Sequence, residues 1–289
     1  MKTLLLIDAH ALIHRFFHAL PPLSTPEGKP IQAIYGLSGA LLKFRNSLNP
    51  DFGAAAFDRP EETFRKKEFK DYKVHRPQAT NELIEQFNEA RRTFAAFGIT
   101  VFEKPGFEAD DILGTLASAL SREKDLLIVI LSGDLDILQL VRDTHTVADI
   151  VSGGISNIVR YSEKEVLDRY GLPPKLLIDY KGLVGDASDN IPGVPGIGPK
   201  TAKELITEWG SLEGVFENLP LVKSRIAEKL SLNKENAFLS KRLATIDCRV
   251  PIEIPPLETL RMPQLRSQDI KTYLEKLGFQ SLLERIARQ

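Results

Sequence analysis

This sequence of 289 residues lacks the features that mark secreted or membrane-bound proteins. Its single cysteine, Cys248, excludes an internal disulfide and favours a reducing compartment. The apolar segment at residues 3–7 is too short for a secretory signal and ends at Asp8, and no apolar run approaches the roughly 18 residues needed to cross a bilayer. These absences predict a soluble, cytoplasmic protein that does not bind a membrane.

A strong excess of charge of either sign is also missing. The net charge of −1 lacks the basic excess that is common among nucleic-acid-binding proteins. Net charge conceals distribution, however, because one dense acidic cluster would leave the rest of the surface net basic. The local arrangement of the charged residues therefore decides which class of partner is predicted.

The first half of the sequence alternates between strand-like and helix-like segments. The predicted strands are residues 3–7, 53–57, 99–103, 126–131 and 146–151, and the predicted helices are 32–44, 82–97 and 108–120. This alternation is typical of an α/β fold with a mostly parallel central sheet flanked by helices. Strands that are apolar throughout fit burial on both faces of such a sheet.

From about Ser162 the pattern changes to helices joined by glycine- and proline-rich turns. The predicted helices are residues 163–170, 174–184, 200–209, 221–230, 234–246, 267–277 and 280–287. The four prolines in residues 249–263 predict an extended connection. We therefore predict two domains, an α/β core at residues 1–161 and a helical subdomain at residues 162–289.

Acidic residues directly follow three of the predicted strands. Asp8 follows the first strand, Asp58 follows the second, and Asp134 and Asp136 follow the strand at residues 126–131. Because sites in parallel sheets form at the carboxyl ends of the strands, these side chains are expected at one edge. Two further acidic groups, Glu108–Asp111 and Asp186–Asp189, have carboxylates three positions apart that can face the same way.

Each acidic group alone fits a helix cap or a solvated turn, and only the five groups together favour a shared site. Such a cluster repels itself unless cations are bound, and oxygen ligands favour magnesium. No His/Cys set with zinc spacing competes, and His10, His14 and His18, which recur four apart, are interpreted as ordinary helix or loop residues. Two magnesium ions held by carboxylates are suited to phosphodiester hydrolysis.

The glycine-rich segment at residues 191–202 has two interpretations. A nucleotide-binding P-loop needs a preceding strand and a glycine directly before the lysine, whereas Pro199 stands before Lys200, which excludes an NTPase. The alternative is a helix-hairpin-helix at about residues 185–209, with Gly196 and Gly198 in the hairpin and Lys200 and Thr201 at the start of the second helix. Backbone N–H groups there can hold a DNA phosphate without reading sequence. A plain interhelical turn is the simpler alternative.

Residues 59–76 combine basic and aromatic side chains. The basic residues are Arg59, Arg65, Lys66, Lys67, Lys70, Lys73 and Arg76, and the aromatic residues are Phe64, Phe69, Tyr72 and His75. This combination suits single-stranded nucleic acid, through phosphate contacts and base stacking, although charge runs are usually solvated surfaces. Its position directly after Asp58 favours the binding role, so Arg65, Lys66, Lys70 and Tyr72 are predicted to contact DNA.

In their order and spacing these motifs resemble the 5′ nuclease (flap endonuclease) superfamily, and most closely the N-terminal 5′→3′ exonuclease domain of bacterial DNA polymerase I. The matching segments span nearly the whole chain: Leu6–Asp8, Ala56–Asp58, Glu108–Asp111, Ser132–Asp136, Gly185–Gly193 and Gly196–Gly198. The resemblance implies a resolvase-like (PIN-like) α/β core, a basic helical arch at about residues 59–97, and a helical subdomain with a helix-hairpin-helix.

The resemblance also implies the site residues. One metal position would be lined by Asp8, Asp58, Glu108, Asp110 and Asp111, and the other by Asp134, Asp136, Asp186 and Asp189. Lys73, Arg76 and Arg15 would hold the scissile phosphate, and Tyr35 would stack on a terminal base. The expected cofactors are two Mg²⁺ ions, for which Mn²⁺ would substitute, and a K⁺ ion at the helix-hairpin-helix.

The implied substrate is DNA with a 5′ flap, a nick or a free 5′ end, with an RNA primer on DNA as a second expectation. The implied role is primer and flap removal in DNA replication and repair at the bacterial nucleoid, beside a polymerase domain in the same or another chain. Ala9 and Leu135 depart from the family pattern, but neither replaces a metal ligand. Two rivals remain: a related nuclease that acts on RNA, and a flap-binding module without activity.

Overall fold

The computed structural model describes residues 1–142, 145–152, 157–264 and 267–288. Six strands form one sheet in the order β3-β2-β1-β4-β5-β6. They are β1 (Lys2–Asp8), β2 (Phe52–Phe57), β3 (Thr100–Glu103), β4 (Leu126–Ser132), β5 (Thr146–Val151) and β6 (Ile158–Tyr161). Strands β1 to β5 are parallel, with Leu6 opposite both Ala54 of β2 and Ile130 of β4, which confirms the predicted mostly parallel sheet.

The edge strand β6 runs antiparallel to β5 and is missing from the sequence prediction. It has only four residues, and Val159 and Arg160 in its middle are exposed. A strand this short at the edge of a sheet carries too few buried positions to show a clear period of two.

The helices of the described chain cover both faces of the sheet and form most of its second half. They are α1 (Ala9–Ala19), α2 (Gln32–Ser47), α3 (Phe64–Glu68), α4 (Asn81–Ala96), α5 (Ala109–Leu120), α6 (Glu163–Tyr170), α7 (Leu177–Val184), α8 (Pro199–Trp209), α9 (Leu212–Glu217), α10 (Ser224–Leu232), α11 (Lys234–Ala244), α12 (Gln268–Lys276) and α13 (Gln280–Ala287). Within the described ranges, none of them combines the length and the apolar character that a membrane span requires.

Helix α1 continues directly from β1, and the junction fixes the first carboxylate of the predicted site. The Asp8 side chain accepts a hydrogen bond from the Ala11 N–H at 2.9 Å and so caps α1. A capping side chain satisfies a backbone donor that has no partner within the helix. The orientation of Asp8 is therefore set by both the strand that ends at it and the helix that begins after it.

Apolar side chains fill both faces of the sheet and hold the strand ends in place. Leu5 and Ile7 of β1 pack with α1, α2 and α4, whereas Leu4 and Leu6 pack on the opposite face with α5. Alternate residues of β1 thus enter two different cores, which explains its unbroken apolar sequence. Full burial of each such side chain stabilises the fold by about 1.5–3 kcal/mol.

Helices α7 to α11 (Leu177–Ala244), here called the helical unit, enclose a core of their own that includes Leu183, Ile206 and Leu212. The predicted subdomain at residues 162–289 needs correction beyond this unit. Residues 246–260 return along the sheet, and α12 and α13 pack on α4 and α2 of the α/β core. They do so because the apolar side chains of α12 and α13 are buried in the core beside β1.

The segment predicted as a helical arch, residues 59–97, is only partly helical. Helix α3 has five residues, residues 70–75 form turns, and residues 76–80 have no regular secondary structure. Helix α4 buries Leu83, Ala90 and Phe94 in the α/β core, so its apolar face is already occupied. The arch prediction is therefore corrected to residues 59–80, here called the basic segment.

Candidate active site

A cleft of about 800 Å³ opens at the carboxyl ends of β1, β2 and β4. Seven of the predicted metal ligands line it: Asp8, Asp58, Glu108, Asp110, Asp134, Asp136 and Asp189. The predicted phosphate-binding residues Arg15, Lys73 and Arg76 line the same cleft. The structure thus brings together side chains from segments that lie far apart in the sequence.

Asp8 is almost fully buried at the inner part of this acidic group. Ser132 Oγ donates to Asp8 Oδ2 at 2.6 Å. Burial, with a contribution from Asp58 and Asp134, nevertheless raises the pKa of Asp8 to about 7. Burial and the nearby Asp8 and Asp134 carboxylates also raise the pKa of Asp110 well above its ordinary value. Carboxylates whose pKa is raised by burial, and further by neighbouring carboxylates, are expected where a cation offsets their charge.

Asp58 has a more favourable environment for its charge. Burial alone would raise the pKa of Asp58, but His10, Lys73 and the Ala109 N–H hold it below its ordinary value. The Ala109 N–H donates to Asp58 Oδ1 at 2.6 Å, and His10 Nε2 lies 3.7 Å from Oδ2. The start of α5 therefore orients Asp58 toward the cleft.

The basic segment contacts the carboxylates directly. Lys73 Nζ donates to Glu108 Oε1 at 2.9 Å, and Arg76 Nη2 donates to Asp189 Oδ1 at 2.5 Å. The Tyr72 hydroxyl lies between them, 3.1 Å from Glu108 Oε2 and 3.3 Å from Asp189 Oδ2. These contacts place both predicted phosphate-binding cations beside the predicted metal ligands.

The backbone of Lys73 adopts a conformation that is rare for a residue with a side chain. Its φ is +54°, and its N–H donates to the Asp189 carbonyl at 2.8 Å. A conformation of this kind costs free energy and persists only where the surroundings fix it, often at functional sites. The loop that carries Asp189 therefore helps to hold Lys73 at the cleft.

Lys181 is the functional residue that the sequence interpretation missed most clearly. Its Nζ contacts Asp136 Oδ1 and lies 2.8 Å from Asp186 Oδ2, so one ammonium bridges two predicted ligands of the second metal position. Burial would raise the pKa of Asp186, but Lys181 holds it below its ordinary value. Burial raises the pKa of Asp136 to about 6 although Lys181 opposes this rise. In the sequence, Lys181 is indistinguishable from an exposed helix lysine.

Arg65 and Asp111 form a buried pair behind the cleft. The two guanidinium nitrogens Nη1 and Nη2 donate to Asp111 Oδ2 and Oδ1, each at 2.7 Å, and the side chains are 3% and 0% exposed. Asp111 also accepts from the N–H groups of Glu108 and Asp247, at 3.1 and 2.8 Å. Because each carboxylate oxygen already has two donors, neither has a free position for a metal ion.

Two predictions therefore need correction. Asp111 is placed as a structural acceptor and not as a direct metal ligand. Arg65 is enclosed by Asp111 and by the carbonyls of Leu243 and Thr245, to which it donates at 2.8 and 2.7 Å, so it has no surface to offer to DNA. Together this pair ties the basic segment to the start of α5 and to the end of the helical unit.

The other predicted cations lie at or near the rim of the cleft. Arg15 lines the cleft, and its Nη2 donates to the Gly133 carbonyl at 2.6 Å. Lys70 is exposed and pairs with Glu62 at 3.0 Å, while Lys66 donates to a backbone carbonyl within the basic segment at 3.0 Å. Of these three side chains, Arg15 alone lines the cleft.

Tyr35 lies at a different surface. Its ring packs edge-on against Phe279 with a centroid separation of 5.3 Å, and its hydroxyl lies 2.9 Å from Ser281 Oγ. It lines a groove of about 390 Å³ beside α13 rather than the acidic cleft. Tyr35 therefore lies outside the acidic cleft, and its stacking on a terminal base stays a prediction for this second groove.

The predicted hairpin joins α7 to α8 through a closely packed turn. Gly185 and Gly193 have φ values of +71° and +62°. A Cβ on Gly185 would lie 2.4 Å from the Ile191 carbonyl oxygen, so only glycine fits there.

The exposed part of this loop leads into the start of α8. Gly196, Gly198 and Lys200 are exposed, and no side chain caps the helix that begins at Pro199. The backbone donors there, including that of Thr201, are suited to a phosphate. Lys229 Nζ donates to the Gly196 carbonyl at 2.9 Å, a contact that the expected potassium ion would have to replace.

Side-chain cations lie between several of the predicted metal ligands. Within the part of the chain that the structure describes, no three acidic, histidine or cysteine side chains stand close enough together to hold a metal ion as placed. Lys73, Arg76 and Lys181 lie between the carboxylates instead. The remaining donors are carboxylate oxygens, which fit a hard divalent cation once these flexible side chains move aside.

The comparisons with known proteins agree with this geometry. Residues 3–171 match the family described as 5′-3′ exonuclease, N-terminal resolvase-like domain, and residues 172–268 match 5′-3′ exonuclease, C-terminal SAM fold. The chain belongs to the 5′-3′ exonuclease family. It is 41% identical over 285 residues to DNA polymerase I of Caldicellulosiruptor bescii, a match that covers 98% of this chain and 33% of that protein. The chain thus spans about one third of the length of the curated relatives it matches.

Two solved structures show the same fold. The T5 5′-exonuclease with bound zinc has a TM-score of 0.69 and 21% identity, covering 99% of this chain and 97% of that one. The catalytic core of Rad2 in complex with a DNA substrate has a TM-score of 0.63 and 18% identity, covering 99% and 92%. The predicted family and fold class are confirmed.

Proposed function

We propose that this chain hydrolyses DNA phosphodiester bonds as a structure-specific 5′→3′ exonuclease and 5′ flap endonuclease. The observation that carries this proposal is the cleft in which seven carboxylates converge with Arg15, Lys73 and Arg76 at the carboxyl edge of the sheet. Membership of the 5′-3′ exonuclease family supports the same reaction.

We propose two magnesium positions, for which manganese would substitute. The first would use Asp8, Asp58, Glu108 and Asp110, and the second would use Asp134, Asp136, Asp186 and Asp189. Bound metal ions of this kind supply a hydroxide and stabilise the attacking and leaving oxygens. The zinc in the T5 5′-exonuclease structure supports a divalent ion in this fold. Asp111 would act by holding Arg65 and the N–H groups of Glu108 and Asp247 in place.

The protein side chains then have separate tasks. Lys73 and Arg76, whose present partners are the predicted ligands Glu108 and Asp189, would turn to the scissile phosphate and stabilise its growing negative charge. Arg15 would contact the strand at the rim of the cleft. Lys181 keeps Asp136 and Asp186 close together until the second ion binds.

We propose duplex DNA with a 5′ flap, a nick or a free 5′ end as the substrate. The start of α8 would hold a backbone phosphate of the duplex, so recognition would depend on shape and hardly on sequence. The DNA substrate in the Rad2 structure supports DNA as the class of substrate. An RNA primer on DNA would be a second substrate.

The cellular role that fits this reaction is primer and flap removal during DNA replication and repair. The relatives named DNA polymerase I support a polymerase domain as a partner, in the same or another chain. We propose a cytoplasmic enzyme that acts at the bacterial nucleoid, with an α/β core that includes α12 and α13 and a helical unit that holds the duplex.

A panel of 5′-labelled substrates tests the proposal. Flapped, nicked, blunt and single-stranded DNA, and the same flap made of RNA, would be incubated with magnesium and wild-type protein. Flapped and nicked DNA should be cut fastest, and Asp8→Asn should abolish cutting. Asp168→Asn changes an exposed aspartate on α6 away from the cleft and should leave cutting unchanged. Faster cutting of RNA would favour the RNA-directed rival, and tight flap binding without any cutting would favour the binding module.

A further inference from the structure

Three histidines of α1 form one wall of the cleft. His10, His14 and His18 recur at four-residue intervals and all line the cleft. Their ring centroids are 5.0 Å apart for the first pair and 6.2 Å for the second, and the second pair is stacked with an interplanar angle of 22°. The rings therefore form a row that begins at Asp58 and reaches the exposed His18.

The inner end of this row is held in place by packing. The His10 ring stacks on Phe87 of α4 with a centroid separation of 4.4 Å and an angle of 13°, and the His14 ring meets Phe87 edge-on at 5.4 Å. His10 and His14 are half-buried, whereas His18 is exposed. Packing against Phe87 thus fixes the two inner rings at the cleft.

Two cationic side chains share the cleft with the rings. Lys73 and Arg76 of the basic segment line the same cleft, followed by Pro77 and Ala79. In a single nucleic-acid strand, phosphates and bases project in different directions, so a cleft lined by both cations and flat rings suits such a strand. A duplex could not present its bases to the rings, because the bases of a duplex are already paired and stacked.

We propose that the row His10, His14 and His18 is a stacking surface for unpaired bases of the 5′ strand next to the scissile phosphate. This inference rests on the proposed function, since it names the part of the substrate that this wall receives. It assigns a binding role to residues that sequence interpretation treated as ordinary helix positions.

Stacking fits these side chains better than an ionic contact with phosphate. Burial lowers the pKa of His14 to about 4, with His10 and His18 contributing, so its ring is neutral at pH 7. A neutral imidazole lacks the charge that attracts a phosphate but keeps a flat face for a base.

The test compares flap binding by ring-deleted and ring-preserving variants. His14→Ala/His18→Ala and His14→Phe/His18→Phe leave His10, which contacts Asp58, unchanged. Dissociation constants would be measured by fluorescence anisotropy without divalent metal, for a DNA flap with normal bases, the same flap with abasic nucleotides, and a blunt duplex. Thermal unfolding would verify that each variant is folded.

We expect the alanine pair to bind the normal flap about tenfold more weakly, because each lost base–ring stack reduces affinity several-fold. The phenylalanine pair should bind like the wild type. Abasic nucleotides should weaken flap binding by the wild type by a similar factor. They should weaken flap binding by the alanine pair only slightly further. All three proteins should bind the blunt duplex equally well.

Equal flap binding by the alanine pair and the wild type would overturn the inference. The inference would also be overturned if the phenylalanine pair bound the flap as weakly as the alanine pair. The same holds if the wild type bound the abasic flap as tightly as the normal flap. Because binding is measured without cleavage, failure of the nuclease proposal would appear in the substrate panel and not in this comparison.

Discussion

The buried pair of Arg65 and Asp111 yields a sharp prediction, because its strongest contacts are to each other and to backbone groups, with Glu108 Oε2 a more distant 3.5 Å from Arg65 Nη1. Arg65→Met removes a guanidinium that donates to both Asp111 oxygens and to the carbonyls of Leu243 and Thr245. Removing one partner of a buried ion pair typically lowers the free energy of unfolding by about 3–5 kcal/mol, because the remaining charge stays buried without an opposite charge beside it. We expect Arg65→Met to lower the free energy of unfolding by about that amount.

A second arginine provides a matched control. Arg59 also pairs with two carboxylates, Glu61 and Glu103, but its side chain is 33% exposed. Water screens ion pairs that are this exposed, so Arg59→Met should lower the free energy of unfolding far less than Arg65→Met. Urea denaturation followed by circular dichroism would measure both variants.

Metal binding separates the structural interpretation of Asp111 from a ligand role. Asp111→Asn should lower stability but keep manganese binding, as measured by calorimetry under folded conditions. Asp134→Asn should weaken manganese binding and leave stability nearly unchanged or raised, because it removes one of several crowded carboxylates. The reasoning would be refuted if Asp111→Asn abolished manganese binding while its free energy of unfolding stayed within about 1 kcal/mol of the wild-type value.

Two further predictions concern the cleft and the hairpin. Lys73→Met should lower the single-turnover cleavage rate by about 10²–10³-fold, the usual loss when one charge-stabilising donor is removed, and an unchanged rate would exclude Lys73 from contact with the reacting phosphate. Gly185→Ala should destabilise the fold by more than about 2 kcal/mol in thermal or urea unfolding, since its Cβ would lie 2.4 Å from a carbonyl oxygen at a positive φ. Gly28→Ala, also at a positive φ but with no atom within 4 Å, is the control and should cost about 1 kcal/mol. Equal losses at the two glycines would contradict the packing argument.

The parts of the site that the sequence predicts are those encoded by local pattern. Asp8, Asp58 and Asp134 each follow an apolar run, and in a parallel sheet the ends of such runs meet at one edge. The structure confirms the strands and places these carboxylates at one cleft.

The parts that the sequence does not predict depend on contacts between distant segments. Lys181 meets Asp136 across 45 positions, and Arg65 meets Asp111 across 46, so no local period distinguishes these side chains from exposed ones. The packing of α12 and α13 on the α/β core cannot be predicted from the sequence either. The pattern of an amphipathic helix shows that its apolar face is buried, but not against which element.

The central claim is that carboxylates at the edge of the sheet hold metal ions that cut DNA. Release of labelled product from a 5′ flap should therefore require magnesium, stop when EDTA is added, and fall at least about 100-fold in Asp134→Asn protein that still binds the flap. Cutting that continues in EDTA, or at an unchanged rate in Asp134→Asn, would contradict the account.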